Sequence, residues 1–312
     1  MDDIQVLVSC RLVWDDEDWV TEHLGGFGVA VDLPRFDGQQ LSESDLLPII
    51  GKYDGILAGD DHLTRAVLES ADRLRVISKW GIGTDAIDHA AAEELGIKVF
   101  NTPGVFGEEL ADYAMGYIHL LARRQHEVNA RVKAGEWYKV RGVSLAGKTL
   151  GIVGLGSSGR ALARRGAAAS MRVIGYDVVD VAEMADCEVV DLETLLVESD
   201  IISLQVPATE ETRHLINARS IARMRDGVWL INISRGSLVD ERALVEALRT
   251  GKVGAAALDV FEVEPVEPTN ELLAFDKVVV GSHNGSNTRE AVERTTRQAV
   301  SNLLEGLGLE PV

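Results

Sequence analysis

Short β-rich runs alternate with amphipathic helical stretches along almost the whole chain. The first part contains five strand candidates, IQVLV, GVAVDL, GILAG, LRVISK and IKVF, with helical segments such as LTRAVLESA between them. Six more follow later: TLGIV, MRVIGYD, DIISLQV, VWLINIS, VGAAALDV and KVVVG. Because strands that alternate with helices usually pair in parallel and are covered by those helices, the pattern predicts an α/β fold with parallel sheets.

The same pattern divides the chain into two parts. NTPG at residues 101–104 is a clear break, and a new strand begins at residue 149. A chain of 312 residues, of which 46% are hydrophobic, has the length of about two domains and can bury a sizeable core. We predict one domain over residues 1–101, completed by residues 286–312, and a second domain over residues 102–285.

Two segments outside the strands are predicted to be long helices. One is EELADYAMGYIHLLARR, and the other runs from about Thr288 to Leu304. The apolar positions of the first recur at helical spacing: Leu110, Ala114, Tyr117, Ile118 and Leu121. This apolar face would be buried in the domain core, or in a dimer or interdomain contact.

Charge and cysteine usage narrow the class of protein. The net charge of −19 argues against a surface for nucleic acid or an anionic membrane. The start of the chain has no basic segment and no long apolar segment of a signal peptide, and no run of about 18 apolar residues is present. Cys10 and Cys187 lack metal-type spacing, so we predict buried thiols in a reducing compartment, a cytoplasmic location and no metal site.

The sequence GLGSSG follows the strand TLGIV and opens the helical stretch RALARRGAAA. This is the Gly-x-Gly-x-x-Gly arrangement in the strand–loop–helix context that a dinucleotide site needs. Gly154 allows the tight turn, Gly156 lets the backbone approach a pyrophosphate, and Gly159 lets helix and strand pack closely. The N–H groups of Ser157 and Ser158 would point at the phosphates. The alternative is a glycine-rich turn that binds nothing.

An acidic residue stands where it would meet the ribose of such a cofactor. The strand MRVIGYD ends in Asp177, 18 residues after Gly159. Its carboxylate would hydrogen-bond the ribose hydroxyls and repel a 2′-phosphate, and the following VVD offers no arginine to hold one. The sequence therefore favours NAD over NADP.

Three strands of the second domain lead into residues with chemical function. VWLINIS runs into Arg235, AAALDVF into a segment that contains Glu264, and KVVVG into His283. In an open parallel sheet, ligands bind beyond the carboxyl ends of the strands, so these residues would converge where the nicotinamide lies. Taken singly each has a structural explanation: Arg235 as a helix cap or a partner of Asp240, Glu264 as a solvated acid, and His283 as a turn residue.

Together the three residues suit the reduction of a 2-oxo acid. Histidine is the natural proton donor to the carbonyl oxygen near neutral pH. A carboxylate on its other ring nitrogen, here Glu264, would fix the tautomer of His283 and raise its pKa. The planar fork of Arg235 would bind the substrate carboxylate and polarise the adjacent carbonyl. Asp259, at the end of AAALD, would either orient the nicotinamide carboxamide or cap a turn.

At this point the sequence resembles the D-isomer-specific 2-hydroxyacid dehydrogenases, and within them the phosphoglycerate-dehydrogenase-like branch. The resemblance covers nearly the whole chain. The motifs in the family's order and spacing are KWGIGTDAID (79–88), NTPG (101–104), LAGKTLGIVGLGSSGR (145–160), VPATEETRHLIN (206–217), NISRGSLVD (232–240), LDVFEVEP (258–265) and SHNGSNT (282–288).

The resemblance implies two flavodoxin/Rossmann-like domains with parallel sheets and a discontinuous substrate domain, with the active site in the cleft between the domains and a homodimer built largely on the NAD domain. It implies that Arg235, Glu264 and His283 are the catalytic residues of an NAD-dependent D-2-hydroxyacid dehydrogenase. The predicted NAD-contacting positions, besides the glycine loop, are Ser157, Ser158, Asp177, Val206, Pro207, Ile233, Ser234, Asp259 and Gly285. The predicted substrate-binding positions are Lys79, Trp80, Gly81, Ile82, Gly83 and Asn284.

The loop from Trp80 to Gly83 would hold the substrate carboxylate on its backbone N–H groups, since glycine-flanked amides form an anion-binding nest. Trp80 itself would either line the pocket, where it would select a flat or apolar substituent, or pack against the core of the first domain.

Three departures from the family pattern bear on the substrate. Ser282 replaces the usual proline and Asn284 the usual apolar residue beside His283, so the pocket wall is more polar. Asp60 and Asp61 stand where phosphoglycerate dehydrogenases tend to carry an arginine, which argues against a phosphorylated substrate unless Lys79 supplies the charge. The C-terminal regulatory domain of some serine-pathway members is not expected.

Two other functions stay open at the level of sequence. One is the oxidation of an unusual hydride donor, as in phosphite and formate dehydrogenases, although the formate enzymes usually carry glutamine at the position of Glu264. The other is an NAD(H)-sensing protein like the C-terminal-binding-protein corepressors, which keep the same three residues. The sequence identifies neither the side chain of the substrate nor the direction of the reaction.

Overall fold

The alternating segments of the chain form two parallel sheets, and a computed structural model describes residues 4–182 and 184–309. The strands are β1 (Ile4–Val8), β2 (Val29–Asp32), β3 (Gly55–Ala58), β4 (Val76–Lys79), β5 (Lys98–Phe100), β6 (Thr149–Val153), β7 (Arg172–Tyr176), β8 (Glu188–Val189), β9 (Ile201–Leu204), β10 (Val228–Asn232), β11 (Val253–Leu258) and β12 (Val278–Val280).

The helices connect these strands. They are α1 (Glu17–Gly25), α2 (Glu43–Leu46), α3 (Arg65–Glu69), α4 (His89–Glu94), α5 (Gly107–Arg123), α6 (Gln125–Lys133), α7 (Ser157–Ala168), α8 (Leu192–Glu198), α9 (Ala218–Arg223), α10 (Glu241–Thr250) and α11 (Arg289–Leu307). Side-chain caps start several of them, for example Asp240 on α10 and Thr288 on α11.

The first compact unit comprises Met1–Val105 and Asn287–Val312. Its sheet has the strand order β2-β1-β3-β4-β5, and every pairing is parallel. The C-terminal helix α11 packs on this sheet: the Ser78 hydroxyl donates to the carbonyl of Ala299 at 2.7 Å, and a Cβ added at Gly306 would overlap Val76. The last helix therefore completes the unit that the start of the chain begins.

The second compact unit is Phe106–Ser286. Its sheet has the order β12-β11-β10-β9-β6-β7-β8, again with parallel pairing throughout. The chain begins the sheet at β6, builds outward through β7 and β8, and then returns to the other side of β6 with β9. The loops after β6 and β9 consequently leave the sheet in opposite directions, and this reversal is where such sheets bind ligands.

These two sheets confirm the predicted fold class, and all eleven strands expected from the sequence are present. Two elements were not predicted, α6 and β8. The sequence of helix α6 has no apolar periodicity, and accordingly none of its residues is buried. Arg124, with a left-handed φ of 49°, separates α6 from α5. Strand β8 has only two residues. Within the described part of the chain, no helix is both long and apolar enough to cross a membrane.

Candidate active site

The glycine loop between β6 and α7 has the geometry of a dinucleotide-binding turn. Gly154 has a φ of 100°, and a Cβ there would lie 2.6 Å from the carbonyl oxygen of Gln205 in the loop after β9. A Cβ at Gly159 would overlap the carbonyl of Gly154. At Gly156, by contrast, a Cβ would meet nothing within 4 Å. Two glycines are therefore required by packing, while the third leaves open space in which a ligand can approach the backbone.

The N-terminal turn of α7 and Asp177 complete this loop. Helix α7 begins at Ser157, three residues before the helical stretch that the sequence predicts. Because Ser157 and Ser158 lie in the first turn, their amides have no partner within the helix. The Asp177 carboxylate accepts a hydrogen bond from the Leu155 amide at 2.7 Å, and the Arg160 side chain donates to the Leu155 carbonyl at 2.8 Å. These residues fit the pyrophosphate and ribose of a dinucleotide.

Arg235 follows β10 and is held by a buried asparagine that was not singled out in the sequence. The Asn232 side chain, 1% exposed, donates to the Arg235 carbonyl at 2.8 Å and accepts from the Ser234 amide at 3.1 Å. A Cβ at Gly236 would overlap the backbone of Phe261, so the loops after β10 and β11 touch. An asparagine within the apolar run VWLINIS was the signal that could have identified Asn232.

His283 and Glu264 form a direct hydrogen bond. The Nδ1 atom of His283 lies 2.7 Å from Oε2 of Glu264, and both side chains are about one-fifth exposed. The other carboxylate oxygen, Oε1, accepts from the Phe261 amide at 2.9 Å, which fixes the carboxylate. His283 itself has a left-handed φ of 56°, an uncommon conformation for a residue with a side chain.

The second ring nitrogen of His283 faces the arginine. Its Nε2 atom is 3.4 Å from Nη1 of Arg235, which also donates to the Ser234 carbonyl at 3.0 Å. With the Nδ1 proton directed at Glu264, neutral His283 presents Nε2 as a proton acceptor. The structure thus brings the three predicted residues together at the carboxyl ends of β10, β11 and β12.

The remaining predicted cofactor positions lie at the same edge of this sheet. Val206 and Pro207 follow β9, and Ile233 and Ser234 follow β10, where the Ser234 hydroxyl donates to the Leu204 carbonyl at 2.9 Å. Gly285 is buried in the turn after β12, and its amide donates to Asp259.

In the first unit, three carbonyl groups of the loop after β4 accept hydrogen bonds that hold the loop in place. Lys79 Nζ donates to the Trp80 carbonyl at 2.7 Å, the Thr102 amide to that of Gly81 at 3.0 Å, and the Asn101 side chain to that of Ile82 at 2.7 Å. Among residues 4–182 and 184–309, the amides of Ile82 and Gly83 have no acceptor. The loop consequently keeps two N–H groups available for an anion.

Two side chains beside this loop are buried. Trp80 is 4% exposed, and its indole N–H donates to the Thr296 hydroxyl of α11 at 3.0 Å, which supports the packing alternative for this residue. Lys79 is 3% exposed, and its Nζ lies 3.2 Å from the Asp60 carboxylate. Asp61 is also buried; it accepts from Ser9, Leu41 and Gly59, and burial raises the pKa of its carboxyl.

Comparison with known proteins identifies the family. Residues 115–285 match the family described as D-isomer specific 2-hydroxyacid dehydrogenase, NAD binding domain. The chain belongs to the D-isomer-specific 2-hydroxyacid dehydrogenases. The dehydrogenase is 42% identical over 278 residues to a hydroxypyruvate reductase of Thermotoga maritima, a match that covers 87% of this chain and 90% of that protein.

Two further relatives show the range of this family. Over 295 residues the dehydrogenase is 39% identical to a D-3-phosphoglycerate dehydrogenase of Methanocaldococcus jannaschii, which covers 92% of this chain but only 54% of that protein. A crystal structure of D-lactate dehydrogenase from Aquifex aeolicus, complexed with NAD and lactic acid, matches with a TM-score of 0.85 and 29% identity over 99% of this chain and 100% of that one. The protein is therefore an NAD-dependent D-2-hydroxyacid dehydrogenase.

Proposed function

We propose that this dehydrogenase interconverts a small, unphosphorylated 2-oxo acid and the corresponding D-2-hydroxy acid, with His283 and Glu264 as the acid–base pair and Arg235 as the substrate anchor. The observation that carries the proposal is one imidazole with a carboxylate 2.7 Å from Nδ1 and a guanidinium 3.4 Å from Nε2. When bound, NADH supplies the hydride for reduction.

The proton moves at Nε2 of His283. In reduction, the protonated Nε2 gives its proton to the carbonyl oxygen of the substrate, and in oxidation the neutral Nε2 takes it back from the hydroxyl group. Glu264 keeps the Nδ1–H tautomer in place and stabilises the imidazolium that forms in the oxidation direction. Its own carboxylate stays fixed because the Phe261 amide binds the second oxygen.

Arg235 would bind the substrate carboxylate and polarise the adjacent carbonyl. A planar guanidinium presents parallel N–H groups that match a carboxylate, and the same charge stabilises the negative charge that develops on the carbonyl oxygen. Because Nη1 lies beside Nε2 of His283, a substrate held on Arg235 would have its carbonyl oxygen next to the proton donor.

In the loop from Trp80 to Gly83, the N–H groups of Ile82 and Gly83 would also bind the substrate carboxylate, and Asn284 would line the pocket wall. On the cofactor, the glycine loop with Ser157 and Ser158 would hold the pyrophosphate and Asp177 the ribose. The other proposed cofactor contacts are Val206, Pro207, Ile233, Ser234 and Gly285. The unit that contains them is proposed as the NAD domain, and the unit built from both ends of the chain as the substrate domain.

The ion pair between Lys79 and Asp60 argues against a phosphorylated substrate. Lys79 is almost fully buried, lies 3.2 Å from Asp60, and donates to the Trp80 carbonyl, so its charge is balanced by Asp60. A doubly anionic phosphate brought to this end of the sheet would meet no net positive charge from the pair.

The proposal predicts turnover of small 2-oxo acids in preference to a phosphorylated one. We expect NADH oxidation, followed at 340 nm as is usual for this cofactor, with glyoxylate, pyruvate or hydroxypyruvate. The kcat/KM for hydroxypyruvate should exceed that for 3-phosphohydroxypyruvate by at least about tenfold, which corresponds to about 1.4 kcal/mol. Asp60→Asn, which has the same shape without the charge, should narrow this ratio because Lys79 would keep an unbalanced charge.

Each result of this assay has a distinct meaning. A preference for 3-phosphohydroxypyruvate would refute the unphosphorylated substrate while leaving the reaction class intact. If NADH binds tightly but none of the 2-oxo acids is turned over, the proposed reaction is wrong, and an NADH-sensing protein or an unusual hydride donor becomes the better hypothesis.

We also propose a homodimer, supported by the surface around α6. This helix buries none of its residues, and the segment after it exposes 85% of Trp137, with the Arg131 guanidinium 4.3 Å above the Tyr138 ring. Light scattering after size exclusion should give twice the chain mass of 33.8 kDa, and Trp137→Ala should weaken the dimer. A wild-type monomer at micromolar concentration would contradict this proposal.

The cytoplasmic location stays a prediction, which subcellular fractionation would test.

A further inference from the structure

Asp259 follows β11 and is almost fully enclosed, with 1% exposure. Its Oδ2 atom accepts from the amides of Asn284 and Gly285, both at 2.9 Å. Its Oδ1 atom lies 3.0 Å from the Tyr113 hydroxyl and 3.4 Å from the Tyr117 hydroxyl. Since a carboxylate has about four acceptor positions, these contacts occupy nearly all of its capacity. This geometry supports the turn-capping alternative for Asp259.

The backbone of the turn that carries His283 is hydrogen-bonded to Asp259. The His283 amide donates to the Asp259 backbone carbonyl at 2.7 Å, and the next two amides donate to its side chain. Three successive N–H groups therefore point at Asp259, while His283 has a φ of 56°. A left-handed residue is unfavourable unless its surroundings hold it, and here the backbone and carboxylate of Asp259 do so.

Glycines keep the turn in contact with the tyrosine pair. A Cβ at Gly281 would overlap Asp259 Oδ1 and the Tyr117 hydroxyl, and would lie 3.0 Å from the Tyr113 hydroxyl. A Cβ at Gly285 would lie 3.3 Å from both Asp259 Oδ2 and the Tyr113 ring. Any movement of these groups would consequently be transmitted to the turn.

The two tyrosines lie four residues apart on α5, with ring centroids 4.8 Å apart in an edge-to-face arrangement. Burial, with the adjacent Asp259 charge adding to it, raises the pKa of both hydroxyls, so they keep their protons and act as donors. The Tyr117 hydroxyl is 3.2 Å from that of Tyr113, shorter than its distance to Asp259. The hydrogen bonds therefore run from Tyr117 to Tyr113 and on to Asp259.

We propose that Tyr113 and Tyr117 are positioning residues for His283: by fixing the Asp259 carboxylate they set the turn that places the imidazole between Glu264 and Arg235. This inference rests on the proposed catalytic role of His283. It assigns Tyr117 a function other than core packing, because the hydroxyl rather than the ring carries the effect.

The test is a set of tyrosine-to-phenylalanine variants, which keep the rings and remove only the hydroxyls. We expect Tyr113→Phe to lower kcat about tenfold, because small displacements of a reacting group cost up to about 10²-fold. Tyr117→Phe should have a smaller effect, and KM for the 2-oxo acid and NADH affinity measured by fluorescence should stay within about twofold of wild type. A change in kcat without a change in binding separates positioning from general damage.

Tyr53 provides a matched control. It is a buried tyrosine in the first unit whose hydroxyl donates to Asp32, and burial raises its pKa to about 12. Tyr53→Phe therefore removes a tyrosine–aspartate hydrogen bond far along the chain from the His283 turn. We expect it to lower the melting temperature without lowering kcat. Wild-type kcat in the Tyr113→Phe/Tyr117→Phe double variant, or an equal loss of kcat in Tyr53→Phe, would overturn the proposal.

A second readout does not depend on turnover. The ¹⁵N shifts of the His283 ring should show the Nδ1–H tautomer in the wild type and a mixture of tautomers in Tyr113→Phe, because the hydrogen bond to Glu264 would loosen. Identical ring shifts in the two proteins would refute the positioning role even if no 2-oxo acid is turned over. Failure of the inference and failure of the proposed function are thereby distinguished.

Discussion

His283→Ala is expected to lower kcat for a 2-oxo acid by about 10²–10⁴-fold, the usual contribution of a positioned general acid or base. The physical reason is that His283 connects the two other residues of the site, with Nδ1 2.7 Å from Glu264 and Nε2, the atom that moves the proton, 3.4 Å from Arg235. NADH binding should be unchanged, since the glycine loop and Asp177 lie at other strand ends. Stopped-flow or steady-state NADH oxidation, together with an NADH fluorescence titration, measures both quantities.

Two further variants make this test specific. His214 also forms a histidine–glutamate contact, 2.5 Å from Nε2 to Glu262 Oε1, so His214→Ala is a matched control whose kcat should stay within about threefold of wild type. Glu264→Gln should lower kcat alone but add little in the His283→Ala background, because residues that act as a unit are not additive. An active His283→Ala variant would rule out this acid–base pair.

The sequence predicted the strands, the cofactor loop and the three strand-end residues because their signals are local. Short β-rich apolar runs, a glycine spacing of five residues and a charged residue after an apolar run are each readable within a short window. The convergence of Arg235, Glu264 and His283 needed one more rule, that the carboxyl ends of parallel strands share an edge.

The contacts that hold the site residues in place could not be predicted in the same way, because several of them join residues that are far apart in the sequence. Tyr113 contacts Asp259 across 146 residues, and its helical spacing with Tyr117 reads as ordinary core packing. Asn232 acts on the backbone of its neighbours, which a motif does not show. From the sequence, Lys79 was a possible source of positive charge for a substrate phosphate. In the structure it is paired with Asp60, and its hydrogen bond to the Trp80 carbonyl stabilises the loop after β4.

Arg235→Gln is expected to lower kcat/KM by about 10²–10³-fold. Removing one partner of a hydrogen-bonded charge pair costs about 2–5 kcal/mol, and each 1.4 kcal/mol is a factor of ten. The local fold should survive, because Asn232 holds the backbone carbonyl of residue 235 and not the guanidinium. Arg219→Gln, at an exposed arginine on α9 in the same unit, is the control and should leave kcat/KM unchanged.

Arg235→Lys separates the two roles assigned to this side chain. Lysine keeps the positive charge but loses the planar fork, so it should recover part of kcat through polarisation of the carbonyl while KM stays high. If instead lysine restores KM and not kcat, the charge holds the substrate and the fork acts on the carbonyl. Near wild-type kcat/KM in Arg235→Gln would mean that the substrate carboxylate is held without this side chain, and the anchor role of Arg235 would be wrong.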